Sequence, residues 1–301
     1  MTAVVGRSRT AGMGAALFAV TIWAGWIPVT RLGVVTHLQP SDVAALRYGT
    51  AGLVLLPYLW RHRHQLPWGR PGLLALVAAG AGVPYFATFG MGLRLANSGQ
   101  AAVFGPGASS LFTVLIARLW LGEAFGLNRW IGMLFTLAGF ALVVCHDWAG
   151  GGARLTGFGL ILLASLAWAL FTVASRRLAL PPLVTSAWVG VSNALIYIPF
   201  YLTGDGPSRI TAAPLMAVGL QATYQGVLTG TIAMTAFSFA VARLGAAGAA
   251  GFTPLTPVMA GFIGWWILGD TLDWATGAGL AAVAAGVIVG SGALQRLSAR
   301  R

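Results

Sequence analysis

The sequence has no lysine, a single cysteine and six acidic residues among 301 positions. Cys145 standing alone excludes an intramolecular disulfide and a cysteine-built metal cluster. Asp42, Glu123, Asp147, Asp205, Asp270 and Asp273 all fall at the ends of apolar runs or between them, as do His37, His62, His64 and His146. Such positions cannot assemble a carboxylate pair, a His-rich metal site or a serine with a basic partner at mid-depth, which argues against a membrane-embedded hydrolase. The same gap argues against a proton shuttle, since carriers of that kind need a titratable group inside the bilayer. Passive, bidirectional facilitation is expected, with proton coupling left open should Asp42 or Glu123 reach the pore. No metal or cofactor is expected.

Charge is scarce as well. Only 8% of the residues are charged and 57% are hydrophobic, against about 25% charged in soluble domains. A hydrocarbon core roughly 30 Å thick is crossed by about 20 apolar residues. Ten runs meet that need, at 12–33, 41–60, 71–93, 98–121, 127–145, 157–178, 183–203, 213–241, 247–268 and 274–294. The connections between them are short, so no soluble catalytic or binding domain fits among them. The fold class expected is an all-α polytopic membrane protein, whose environment is the lipid bilayer.

All 18 basic residues behind the net charge of +12 are arginines, and they lie scattered at run ends. That scatter excludes a nucleic-acid partner, which would need a clustered basic face. With both termini cytoplasmic, 13 arginines lie inside and 4 outside, a positive-inside bias that leaves Arg47 within a span. Arg7 and Arg9 precede a run too long for a signal peptide, so the first helix is retained. The expected location is the bacterial inner (cytoplasmic) membrane, as a multi-pass monomer or weak homodimer.

What is present is a repeat. Leu268-Gly269-Asp270 answers Leu121-Gly122-Glu123 at a shift of 147, as Gly279 answers Gly132 and Ala285-Gly286 answers Ala138-Gly139. Slightly upstream the shift is 149, with Arg243-Leu244 answering Arg94-Leu95 and Gly248 answering Gly99. The halves also open alike: at a shift of 145, Trp23-Ala24 matches Trp168-Ala169, Trp26 matches Phe171 and Arg31 matches Arg176. Pro40 and Pro57 are 17 residues apart, as are Pro182 and Pro199. Self-similarity of this kind divides the chain into halves at 1–149 and 150–301. Five spans per half is an odd number, so the second half enters the membrane from the opposite side. This is an inverted repeat, and it places the substrate site near the midplane, where the halves meet. It also makes Glu123 cytoplasmic and Asp270 external.

In order and spacing these features resemble the EamA branch of the drug/metabolite transporter superfamily over essentially the whole chain. The marks are the late R-L…G…P…L-G-[ED] segment, the Gly-dotted last helix, and Arg47-Tyr48 where that branch has an Arg-aromatic pair. Pro257 stands 13 residues before Asp270, as in the family; Ser110 holds that place before Glu123, and proline comes earlier, at Pro106. The resemblance implies a carrier working by alternating access. It also implies a transport role for Trp23 and Trp168, which match tryptophans implicated in transport in the family's amino-acid exporters.

The spans hold neutral polar and aromatic side chains. Trp23, Tyr85, Ser109, Trp168, Asn193 and Thr256 fall near the midplane, and Tyr224 and Gln225 nearer the outer face. Tryptophan normally prefers the interface, so Trp23 and Trp168 at mid-depth are either core side chains with satisfied indoles or walls of an aromatic-lined chamber. Asn193, Gln225, Thr229, Thr253 and Thr256 either line that cavity or bond neighbouring helices. Pro106, Pro254 and Pro257 read as helix kinks. Arg47 starts about 10 Å deep at roughly 1.5 Å per residue; it either snorkels to the surface or serves as a gate or a contact for a substrate carboxylate. The function expected is export of small neutral metabolites, favouring aromatic or other large apolar amino acids. The rival is a proton-coupled multidrug or nucleotide-sugar-like carrier of the same superfamily.

Overall fold

The computed structural model describes residues 2–124, 126–148, 152–204 and 207–290. The half boundary at 149–150, Asp205, residues 291–294 of the last apolar run and the C-terminus therefore lie outside the described residues. Those described form helices and short connections, with no strand among them. Eight helical stretches are long and apolar enough to cross a membrane, and the apolar helices Leu255–Leu268 and Trp274–Gly290 follow them as shorter pieces. Together these account for ten spans.

Span 1 is Thr2–Thr36, span 2 Pro40–His62, span 4 Ser98–Leu121, span 5 Leu127–Asp147, span 6 Gly152–Leu178 and span 7 Pro182–Leu202. Span 3 is two helices, Pro71–Gly80 and Val83–Leu95. Its break at Ala81-Gly82 is bridged by Asn193 of span 7, whose Oδ1 accepts from Val83 N (2.9 Å) and whose Nδ2 donates to Ala78 O (2.9 Å). Span 8 runs as α-helix Leu215–Gln221, an 11-residue π-helical stretch Ala222–Ile232, and the first part of Ala233–Ala250, which Gly245 (φ 75°) splits into two helices, so that the span ends at Gly245. Span 9 follows that kink as residues 246–250, a turn at 251–254 and α-helix Leu255–Leu268, and span 10 is Trp274–Gly290.

The proline expectations divide. Pro254 caps the helix Leu255–Leu268 and Pro257 lies in its first turn, where the missing N–H would be unpaired anyway. They restart span 9 after the turn at 251–254 that interrupts it. Pro106 does lie inside a helix, in the continuous span 4. Near it, Ser165 Oγ of span 6 approaches Gly105 O (3.0 Å), Phe104 O (3.3 Å) and its own Ile161 O (2.8 Å).

The packing of spans 5 and 10 shows how the halves are related. A Cβ on Gly139 would lie 3.0 Å from Gly279 O, and one on Gly279 3.2 Å from Gly139 O. Gly132 and Gly286 approach as closely, a Cβ on Gly286 falling 2.6 Å from Gly132 O. The repeat pairs Gly132 with Gly279 and Gly139 with Gly286, so each contact is the image of the other. That exchange requires a two-fold axis and antiparallel helices. Outward faces carry large apolar side chains such as Leu53, Ile196 and Trp266, at 77%, 75% and 73% exposure, as lipid contact demands.

Candidate functional site

The largest buried cluster draws on spans 1 to 7, 9 and 10 and includes Ile27, Tyr48, Tyr85, Phe86, Phe89, Phe104, Ile161 and Val189. Inside it the rings form a ladder. Trp26 stacks on Tyr85 at 6.1 Å between centroids and tilts against Phe89 at 4.9 Å; Tyr85 meets Trp168 at 5.2 Å, and Trp168 meets Phe171 at 5.0 Å. Trp26 and Phe171 are repeat equivalents, so matched positions of spans 1 and 6 flank the ladder at its two ends.

Arg47 stands beside this ladder. Its guanidinium lies over Trp26 (5.6 Å), Phe86 (5.6 Å) and Tyr48 (5.8 Å), positions in which ring faces attract a cation. Nη1 donates to Gln225 Oε1 (3.0 Å) and reaches Thr229 Oγ1 (3.5 Å). The snorkelling alternative is thereby corrected: neutral acceptors and ring faces inside the bundle hold the charge where a path to the interface would otherwise draw it. Gln225 is itself fixed, donating from Nε2 to Thr30 Oγ1 (2.8 Å) and Gln221 Oε1 (3.1 Å). The π-helical winding of span 8 brings Gln225 and Thr229 to this point, and insertions of that kind are frequent at functional sites. Trp26 Nε1 is buried with no hydrogen-bond partner.

A cavity of about 410 Å³ opens on the cytoplasmic side between spans 4, 5, 6 and 10. Glu123, Arg129 and Arg176 stand at its mouth, Thr113 and Thr172 line its wall, and Ser109 and Trp168 lie deepest. Trp168 therefore belongs to both the cavity and the ring ladder.

Ser109, Trp168, Tyr85, Gln225 and Arg47 thus come together along one path. Other expected site residues do not join it. Trp23 faces Phe237 of span 8 at 5.0 Å. Asn193 spends its amide on the span 3 break, with a further bond from Nδ2 to Val189 O (2.9 Å). Tyr224 pins span 8 to span 1 by donating to Ile22 O (2.9 Å), over Gly25, where any Cβ would collide with the phenol oxygen. Thr253 lies in the turn that interrupts span 9 and Thr256 in the first turn of the helix Leu255–Leu268, neither of them on the cavity wall. Trp26 joins the ladder without being among the expected site residues; its signal in the sequence is the repeat, which pairs it with Phe171, aromatic for aromatic.

Of the two acids in question, Asp42 is consumed at the external surface. It accepts from Gln39 N (2.8 Å), Arg209 N (2.9 Å), Tyr201 OH (2.6 Å) and Ser208 Oγ (2.6 Å). Glu123 does reach the cavity mouth, bound to Arg176 (2.7 Å) and Arg129 (3.3 Å).

Known proteins share this plan. The chain is 29% identical over 275 residues, 86% of its length and 83% of the relative's, to the uncharacterized inner membrane transporter YedA of Escherichia coli K12. It is 25% identical over 272 residues, 85% of each chain, to a probable terminal-alkyne amino-acid exporter of Streptantibioticus cattleyicolor. A solved crystal structure shares the fold at a TM-score of 0.65 and 19% identity, covering 96% of this chain and 99% of that one. The EamA-like transporter family matches at residues 10–145 and again at 155–291. With both halves matched and an interior of rings and neutral polar groups between them, the chain belongs to the EamA-like transporter family, and it is an integral membrane transporter.

Proposed function

We propose that the protein exports amino acids with aromatic or other large apolar side chains across the bacterial inner membrane by alternating access. The observation that carries this reading is Arg47 set over Trp26 at the end of the Trp168–Tyr85–Trp26 ladder. A guanidinium whose protein acceptors are neutral, next to an indole N–H without an acceptor, suits a carboxylate, which takes several charge-assisted hydrogen bonds at once. The rings suit an apolar or aromatic body and leave faces for an ammonium group. The exporter of Streptantibioticus cattleyicolor, named for amino-acid cargo, supports the same class.

Transport is facilitative in this reading, because Asp42 and Glu123 are each held by several donors. Glu123 at the cavity mouth is the observation that favours proton coupling as a second reading. Purified protein in liposomes loaded with phenylalanine is expected to show counterflow of labelled phenylalanine without a pH gradient. The same vesicles should discriminate against phenethylamine, which lacks the carboxylate. Equal flux of the two compounds overturns the Arg47 assignment. Lumenal pH changes locked to substrate flux replace facilitation with proton exchange.

A further inference from the structure

Among the described residues, besides Arg154–Asp147 at the junction of the halves, two ion pairs join one half to the other across the bundle, one at each membrane face. At the external face Arg31 Nε donates to Asp270 Oδ1 at 3.0 Å. At the cytoplasmic face Arg176 Nη2 donates to Glu123 Oε1 at 2.7 Å. The internal repeat pairs Arg31 with Arg176 and Glu123 with Asp270. Each bridge therefore joins the first helix of one half to the acidic turn of the other, and the two are images of one another. The acidic turns are also built alike: Gly122 and Gly269 adopt φ of 69° and 66° just before the carboxylates, the left-handed close of a helix that glycine favours.

Their surroundings differ. The external pair is latched to the loop between spans 3 and 4, with Arg31 Nη1 donating to Leu93 O and Ala96 O (both 2.6 Å) and Asp270 Oδ2 accepting from Ser98 N (2.8 Å). Asn97 Nδ2 adds a bond to Thr271 O at 3.0 Å. Side-chain exposure is 19% for Arg31 and 9% for Asp270, against 50% for Arg176 and 27% for Glu123, which flank the open cavity. One bridge is closed into backbone, and the other, among the described residues, is held by side chains.

We infer that Arg31–Asp270 and Arg176–Glu123 are the alternating gates of the carrier, with the external gate latched and the cytoplasmic gate unlatched in this conformation. Moving to the opposite conformation parts Arg31 from Asp270 and lets Arg176–Glu123 close into backbone in the same manner. The repeat names the receiving groups. The shift of 149 carries Leu93, Ala96 and Ser98 to Ala242, Gly245 and Ala247, so Arg176 would donate to Ala242 O and Gly245 O, and Glu123 would accept from Ala247 N. Gly245, at φ 75°, already ends span 8 there, as the span 3 helix ends at Leu95 beside Ala96. The inference rests on alternating access; its test uses no substrate, so a wrong choice of cargo leaves it standing.

The experiment places a reporter cysteine at the cavity wall, Thr113→Cys in a Cys145→Ala background, and measures its labelling by a membrane-impermeant maleimide in inside-out vesicles. Asp270→Asn unlatches the external gate and is expected to lower the cytoplasmic labelling rate about tenfold. Glu123→Gln weakens the opposite gate and is expected not to lower it, and the two together should return the rate toward that of the parent. Should Asp270→Asn fail to fold, Arg31→Gln breaks the same latch from the other side and carries the same expectation. A rate within twofold of the parent after unlatching, or an equal fall with Glu123→Gln, overturns the inference.

Discussion

Spans 3 and 8 hold the same place in the two halves, and both leave regular helix near mid-depth, by opposite routes. Span 3 breaks at Ala81-Gly82, and the groups it frees are taken up by Asn193 from another helix. Span 8 does not break there; it winds wide over Ala222–Ile232 and keeps its backbone bonded while Gln221, Gln225 and Thr229 turn onto spans 1 and 2. The contrast teaches that a duplicated helix has diverged into a scaffold and a supplier of polar groups. In lipid both solutions must satisfy every backbone group, and only the wide winding leaves side-chain amides over for Arg47.

The largest expected effect falls on the group that span 8 supports. Arg47→Ala should weaken amino-acid binding by about 30-fold or more, since losing one partner of a buried charged hydrogen bond costs roughly 2–5 kcal/mol. Arg47→Lys should recover only part, because an ammonium lacks the planar fork. Equilibrium binding to detergent-purified protein measures both.

Asn193→Leu attacks the scaffold instead. It strands Val83 N and Ala78 O, and should cost about 2–6 kcal/mol at roughly 1–3 kcal/mol for each unsatisfied buried group. The measurement is thermal unfolding in detergent, with substrate affinity changed less than threefold. A large loss of affinity at unchanged stability would reverse the roles given to spans 3 and 8.

A smaller effect separates Trp168 from its repeat equivalent Trp23. Trp168→Ala removes ring contacts of about 0.5–1.5 kcal/mol each and should reduce transport of aromatic amino acids roughly tenfold with folding retained. Trp23→Ala should act on unfolding temperature through its Phe237 contact and leave transport within about threefold of the parent. The smallest is Gly25→Ala: displacing Tyr224 from its seat on span 1 is expected to cost about 1–2 kcal/mol and to loosen the start of the wide winding, read as faster hydrogen exchange at residues 222–232.

Much of the architecture was legible because lipid makes local rules strict. Ten apolar runs, the arginine distribution and the Leu-Gly-acid turns carried span number, sidedness and repeat before any contact was known. The start of span 9 at 247 agrees with the kink at Gly245, and Pro254 and Pro257 stand where the turn at 251–254 interrupts that span. What local rules do not reach is set by three-dimensional neighbours. The winding of span 8 has no local signature in Ala222–Ile232, since it answers to partners on spans 1 and 2. Composition within the spans pointed to Tyr85, Ser109 and Trp168 near the midplane and to Gln225 nearer the outer face. It could not tell that Asn193 would be consumed by a helix break, nor that Trp26 and not Trp23 would face the rings. Three residues along a helix is enough to change neighbours, and the pattern alone does not fix the rotation.

Span 9 has a consequence for its own surroundings. The helix Leu255–Leu268 has 14 residues and rises about 21 Å, short of a hydrocarbon layer roughly 30 Å thick, so the turn at 251–254 and residues 246–250 complete the crossing. Irregular backbone at that depth is tolerated only beside water or protein, and the turn must therefore face the bundle and not the acyl chains.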